Sequence, residues 1–265
     1  GYTLRMFSDS AARVLKEFVF TRPVTLSGGG MFPMGDDMKL MKGRIRFDAS
    51  AGRVRYPLLG TTLDLGRTKG EVLISPQWVV VDKMMGTIWD GTFTGRVLAQ
   101  IDDGDALNGS FVLQDMNLTS IGKSYDKKME KATVHGAIEF SSKGGNMNSI
   151  QAKGEAALVH GDLVEIPLFG FLGEALSNYI PGLGHLINYK ISRADCDFSI
   201  EKGYVRTSNF AAQGSNMSLE GGGWIRLSDL QVNSDFKLGL RGFPGFITSP
   251  VFLLAGGLFQ VRGTG

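Results

Sequence analysis

Three histidines, one cysteine and a short run of aspartates are the residues whose types most readily suggest chemistry. His135, His160 and His185 stand far apart, and none has a second ligand two or four residues away, so no zinc pattern forms. Cys196 is the only cysteine, which excludes an intrachain disulfide and a thiolate metal cluster and leaves the compartment open; it reads as a buried apolar residue, not a nucleophile. Asp102-Asp103-Gly104-Asp105 gathers hard oxygen ligands but lacks the other positions and the closing Glu of a calcium loop, so it reads as a solvated turn. Gly28-Gly29-Gly30 is not followed by Gly-Lys-Ser/Thr, and Gly182-Leu183-Gly184 lacks the third glycine of a dinucleotide fingerprint. No Gly-x-Ser-x-Gly elbow or His-Glu-x-x-His helix is present, and no carboxylate pair is singled out. The expectation is a protein that is not an enzyme, with no catalytic residue, metal or cofactor.

Composition narrows the class. The chain has 265 residues, 43% hydrophobic and 20% charged, with a formal net charge of +2, which is enough to bury a sizeable core and shows no broad footprint for nucleic acid. Its 37 glycines stand mostly between short alternating runs, where turns and bulges need them. That pattern predicts many short antiparallel strands. The opening Gly1-Tyr2-Thr3 carries no signal-peptide pattern and reads as the start of an excised piece, any anchor or export signal lying upstream. The apolar run over 243–259 is broken by Pro244, Gly245, Pro250, Gly256 and Gly257 and reads as buried loop and strand.

Along the chain, Ser8-Asp9-Ser10 predicts a short helix with Val14, Leu15, Phe18 and Val19 on its apolar stripe, and residues 27–35 read as a loop. Ile45 and Phe47, then Val54 and Tyr56, alternate with charged residues and predict a β-hairpin turning at residues 48–52. Residues 63–65, 71–75 and 78–82 continue the strands, the last apolar on both faces and therefore central. Residues 85–95 read as a bend. Phe111 and Leu113 resume the alternation, a bulge is expected near Asp115, and residues 121–131 form a charged connection with a helical turn. Ile138 and Phe140 share a face in the next strand.

The stretch 154–223 is the most informative. A strand ends at Pro167, and Phe169, Leu172, Leu176 and Ile180 then predict a short apolar helix over 168–180, closed by Pro181-Gly182. Beyond it Cys196, Phe198 and Ile200 oppose Asp195, Asp197, Ser199 and Glu201, with a hairpin turn at Glu201-Lys202-Gly203. Met217 and Leu219, then Phe236 and Leu238, carry the apolar parity onward. Such strands either close as a sandwich or barrel core or curl into a trough with an apolar inner face; composition by itself favours the closed core.

The segment Gly154-Glu155-Ala156-Ala157-Leu158-Val159-His160-Gly161-Asp162-Leu163-Val164-Glu165-Ile166-Pro167-Leu168-Phe169-Gly170 resembles the C-terminal region of AsmA-like proteins of diderm bacteria. So do the helix after it, Phe198-Ser199-Ile200-Glu201-Lys202-Gly203-Tyr204-Val205, Leu219-Glu220-Gly221-Gly222-Gly223, and Phe259-Gln260-Val261-Arg262-Gly263-Thr264. The resemblance implies a β-rich, inner-membrane-anchored, periplasmic protein related to bridge-like lipid-transfer proteins, handling phospholipid or another acyl lipid in outer-membrane biogenesis, with envelope assembly proteins as partners and no nucleic acid. It implies a mainly β fold of many short antiparallel strands in a curled sheet or open trough with one or two capping helices. The expected organisation is an N-terminal helix and loop over 1–41, then a β domain over 42–265 with a helical insertion at about 168–190, truncated at both ends. Read with the alternation, the groove would be lined by Ile45, Phe47, Val54, Tyr56, Phe111, Leu113, Ile138, Phe140, Phe198, Ile200, Met217, Leu219, Phe236 and Leu238, and capped by Phe169, Leu172, Leu176 and Ile180. The alternative is a β-rich structural or protein-binding scaffold of the envelope.

Overall fold

A computed structural model describes residues 18–31, 41–55, 62–100, 106–126, 131–143, 149–159, 191–214, 217–228, 232–240 and 259–263. The protein is mainly β. Its strands are β1 (Phe18–Phe20), β2 (Val24–Met31), β3 (Lys42–Ala49), β4 (Gly52–Arg55), β5 (Thr62–Ile74), β6 (Trp78–Ile88), β7 (Gly91–Gln100) and β8 (Leu107–Asn117). After the helix α1 (Leu118–Ser124) come β9 (Thr133–Ser142), β10 (Gln151–Val159), β11 (Ile191–Glu201), β12 (Tyr204–Gly214), β13 (Met217–Arg226), β14 (Val232–Leu240) and β15 (Phe259–Gly263). The hydrogen-bonded order runs from β1 through β4 and then consecutively from β5 to β15, with β2 and β3 alongside. The order does not return from β15 to β1 among the described residues, so the sheet is open, as a curled sheet or trough requires. The chain divides into two compact units, Gly1–Met116 with Ala137–Ala152 and Asn117–Gly136 with Lys153–Gly265.

In the first unit, β3 and β4 are not the two arms of a hairpin. Both pair with β5 along one edge, Ala49 opposite Thr68 and Gly52 opposite Leu65, so the chain keeps its direction across Ser50 and Ala51. A two-residue hairpin turn of the primed type needs positive φ, and none lies at 48–52. The segments before it behave the same way. β2 pairs with β3, and β1 with β4, as one edge strand interrupted at residues 21–23, where Pro23 has no N–H to give a ladder. Phe18 and Val19, expected on a helix, therefore lie in a strand, because pairing with β4 outweighs local helical periodicity. Residues 27–31 are strand too, not loop. A side chain at Gly28 or Gly30 would come within 2.8 Å of Ile45 Cα or 2.7 Å of Gly43 Cα, and glycine lets the two strands approach.

The expected bend over 85–95 is also replaced. β6 continues to Ile88, Trp89 and Asp90 turn the chain with φ of 49° and 62°, and β7 leaves at Gly91. This is the geometry of a two-residue hairpin turn made without glycine. The expected turn at Lys202-Gly203 is present, with φ of 51° and 77°. Asp115 has φ of 56° where the bulge was expected, and α1 supplies the helical turn. Asn117 caps α1 by accepting a 2.9 Å hydrogen bond from the Thr119 backbone N–H.

Four phenylalanines of the first unit lie against glycines of a neighbouring strand. Phe47 faces Gly70 directly, Phe93 faces Gly86, and Phe111 faces Gly95. A Cβ on Gly70 would stand 2.9 Å from the Phe47 ring, one on Gly86 2.8 Å from the Phe93 ring, and one on Gly109 2.6 Å from the Phe140 ring. Each ring occupies the space its cross-strand partner leaves empty, which covers glycine backbone that a strand otherwise exposes.

In the second unit, a buried cluster joins Leu118 of α1 and Ala132 to Ala194, Ala212 and Leu219, with Ile121, Val134, Leu158 and Phe210 packed around it. Thus α1 covers part of the apolar side of β11–β13.

Replacing Gly95 by Val should lower stability by about 1–3 kcal/mol, because the new side chain meets the Phe111 ring and the Ser110 carbonyl oxygen 2.8 Å away. In a denaturant-melt cycle, Phe111→Ala should cost less in the Gly95→Val background than in the parent. Strict additivity would show that the ring does not lie on this glycine.

Candidate apolar binding face

Register decides which predicted residues meet. Ile45 pairs with Val72, Val72 with Val81, Val81 with Val97, and Val97 with Gly109, so one row crosses five strands on one face. A parallel row runs from Ala49 through Thr68, Gly86 and Phe93 to Leu113. Between them, Phe111 follows Gly95 and Met84. Phe111 touches Phe93 edge-on with centroids 6.3 Å apart, and stacks on Phe140 at 6.0 Å with the rings parallel to within 1°. Ile138 shares Phe140's parity on β9. The structure therefore brings Ile45, Phe47, Phe111, Leu113 and Phe140 to one apolar face, and each is half-buried. Phe93 on the same face is 6% exposed.

Two breaks of parity keep this face apolar. Val81 and Met84 lie three residues apart yet occupy successive positions of the face, because the register of β6 shifts between them against β7, with Lys83 at φ of 51°. Leu65 and Thr68 are related in the same way in β5. Val72, Val97 and Phe93 were absent from the expected lining, although the alternation of Phe93, Gly95 and Val97 carried the signal.

In the second unit, Ile200 pairs with Val205, Val205 with Ile225, and Ile225 with Val232, while Phe198 follows Ile200's parity. Leu219 pairs with Ala212 and Leu238, Gly221 with Phe210 and Phe236, and Met217 with Leu240. Leu219 differs from the rest: it is 1% exposed, beneath the cluster that includes Leu118 of α1. Phe198 and Ile200 are half-buried. Val54 takes its register position opposite Leu63. Tyr56 and the expected cap of Phe169, Leu172, Leu176 and Ile180 lie outside the described residues, as do His160, His185 and the Asp102–Asp105 cluster.

Along β3–β5 the opposite face is charged, while Leu73, Val80 and Leu98 continue it across the sheet as an apolar row. Arg44 and Arg46 bracket Glu71 at 3.5 and 3.4 Å, Arg53 meets Asp64 at 2.7 Å, and Arg67 holds Asp48 through two hydrogen bonds of 3.0 and 2.6 Å. The Arg67 hydrogen bond holds the Asp48 carboxyl below its ordinary range, and the same bond raises Arg67. Exposed pairs of this kind set geometry more than stability. In the second unit the polar side of β11 and β12 is tied across the strands: Asn209 donates to Asp197 at 2.8 Å and accepts from the Asp197 backbone N–H at 2.9 Å.

An open depression of about 250 Å³ lies against Leu26, Ser27, Gly28, Gly29 and Ile45. Among the described residues no three His, Cys, Asp or Glu side chains converge as a metal set, and no helix is long and apolar enough to cross a membrane. What these faces offer is apolar area on one side and fixed charge on the other. Comparison of the chain with protein-family models, curated proteins and solved structures finds no match.

Cys196 is half-buried between two aspartates. Burial, then Asp197 and Asp195, push its thiol up, against a weaker opposing hydrogen bond with Thr207. A raised pKa leaves less thiolate at neutral pH. Cys196 should therefore alkylate with iodoacetamide several-fold more slowly in the native protein than after unfolding in urea, and the native rate should still be climbing above pH 9. A native rate equal to the unfolded one would remove the thiol from this environment.

Proposed function

We propose that this chain is a non-enzymatic cell-envelope protein that holds or transfers phospholipid along its apolar sheet face, in the manner of AsmA-like proteins, and so supports outer-membrane assembly. The observation that carries the reading is the row from Ile45 to Gly109 with the phenylalanine rings beside it, most of them half-buried, on an open sheet. Rings laid against glycines give the face low relief, so a linear hydrocarbon chain finds continuous contact across several strands. Each methylene removed from water contributes on the order of 0.8 kcal/mol, and two acyl chains are held without a shaped polar pocket. Periplasmic location and an inner-membrane anchor upstream belong to the same proposal and rest on the resemblance of the 154–170 and 198–205 segments to that family. No catalytic residue, metal or cofactor is assigned.

Solvent extraction and mass spectrometry of the folded, purified protein should find phospholipid near stoichiometric amounts. Ile45→Asp with Val97→Asp should remove most of it while a cooperative melt persists, since both side chains are only half-buried. Leu219→Asp should instead unfold the second unit, because a charge at a position 1% exposed has no partner. A lipid-free extract with a melt unmoved by added lipid would defeat the lipid reading and favour a protein-binding scaffold.

A further inference from the structure

We infer that the charged face of β3–β5, together with the edge strand beside it, docks this protein on an anionic lipid bilayer surface. The inference does not rest on the apolar face, which lies on the other side of the same strands.

Three adjacent strands supply the charge: Lys42, Arg44, Arg46 and Arg53 from β3 and β4, and Arg67 and Lys69 from β5. Register puts them on one side, Arg46 opposite Glu71, Asp48 opposite Lys69 and Arg53 opposite Asp64. Only Asp48, Asp64 and Glu71 answer them there, so half of the positive charge is uncompensated within these strands. The ion pairs leave the cations outward: Arg44, Arg46, Arg53 and Arg67 keep 63%, 73%, 60% and 72% of their side-chain surface exposed. The chain as a whole carries only +2, so the excess is local. The polar side of the second unit is more evenly matched: Arg193 meets Asp195 at 3.2 Å, Lys202 meets Glu201 at 3.6 Å, Lys237 lies directly opposite Glu220, and Arg206 lies over the Tyr204 ring.

Charge alone would suit any polyanion. The edge strand selects the bilayer. Val19 lies opposite Arg53 and Met31 opposite Lys42, on the cationic side, and they are 56% and 63% exposed. Exposed aliphatic side chains bordering a row of Lys and Arg match an anionic interface, where basic groups meet headgroups and apolar groups enter the acyl boundary. A single-stranded nucleic-acid surface would instead interleave the cations with aromatic side chains for stacking, and none stands among these six.

The test is cosedimentation with phosphatidylcholine vesicles, pure or with about one-third phosphatidylglycerol. The protein should pellet with the anionic vesicles at low salt, release at about 0.5 M salt, where screening acts beyond roughly 4 Å, and ignore the neutral vesicles. Lys42→Gln with Lys69→Gln, which leaves the four Arg–carboxylate sites intact, should weaken binding about tenfold or more. Met31→Ser should weaken it several-fold, and Lys237→Gln, in the second unit, should not. Equal binding to neutral vesicles, no binding to anionic ones at low salt, or parental binding by the Lys42/Lys69 or Met31 variants would overturn the inference. So would equally tight binding of duplex DNA or polyglutamate, which would make the face a general polyanion site. Because copurified lipid is read separately by extraction, failure here and failure of the lipid-holding reading are distinguishable.

Discussion

Side chains alternate along a strand, so the hydrogen-bond register between neighbours decides what each face presents, and a slip of one residue would exchange the two faces. In the first unit that dependence is carried through five strands from Ile45 to Gly109. The bulges are part of it. At Lys83 the additional residue of β6 lets Val81 and Met84 occupy successive apolar positions, and between Thr207 and Phe210 a comparable shift does so against β13. Removing either would leave the strands paired while sending half of their side chains to the wrong side.

The glycine content acquires two separate meanings. Gly203 completes a turn at a φ of 77° that L-residues seldom adopt. Gly70, Gly86, Gly95 and Gly109 instead receive the rings of Phe47, Phe93, Phe111 and Phe140. Ring and glycine are complementary in volume, so neither can be enlarged without displacing the other. The result is an apolar face floored by ring surfaces.

The two sides of the same strands thus have unlike chemistry. One offers area that water solvates poorly; the other offers guanidinium and ammonium groups held in rows, several of them oriented by carboxylates on the neighbouring strand. Glu71, buried among Arg44 and Arg46, anchors that side, for its own charge is tolerable only while the arginines stay near. The same register that assembles the apolar rows aligns these ion pairs.

Period-two alternation by itself determined that the chain is mainly β, that Ile45, Phe47, Phe111, Leu113 and Phe140 share the apolar side of their strands, and that Lys202-Gly203 turns the chain, since each of these follows from local geometry. It also marked Asp115 as irregular. Tertiary structure alone decided what the strands pair with. Nothing local distinguishes a turn at Ser50-Ala51 from an interruption of one strand, because the difference lies in β5, which pairs with both sides of the break. The strand at Phe18–Phe20 has helical periodicity and is extended only because β4 is there to hydrogen-bond with it. Leu219 has the same alternation as Phe198, yet α1 and its neighbours bury it, and no spacing along the chain encodes what packs on top of a strand. Pairing partners and cover are long-range properties, set by which backbone groups and apolar surfaces meet once the whole sheet has formed.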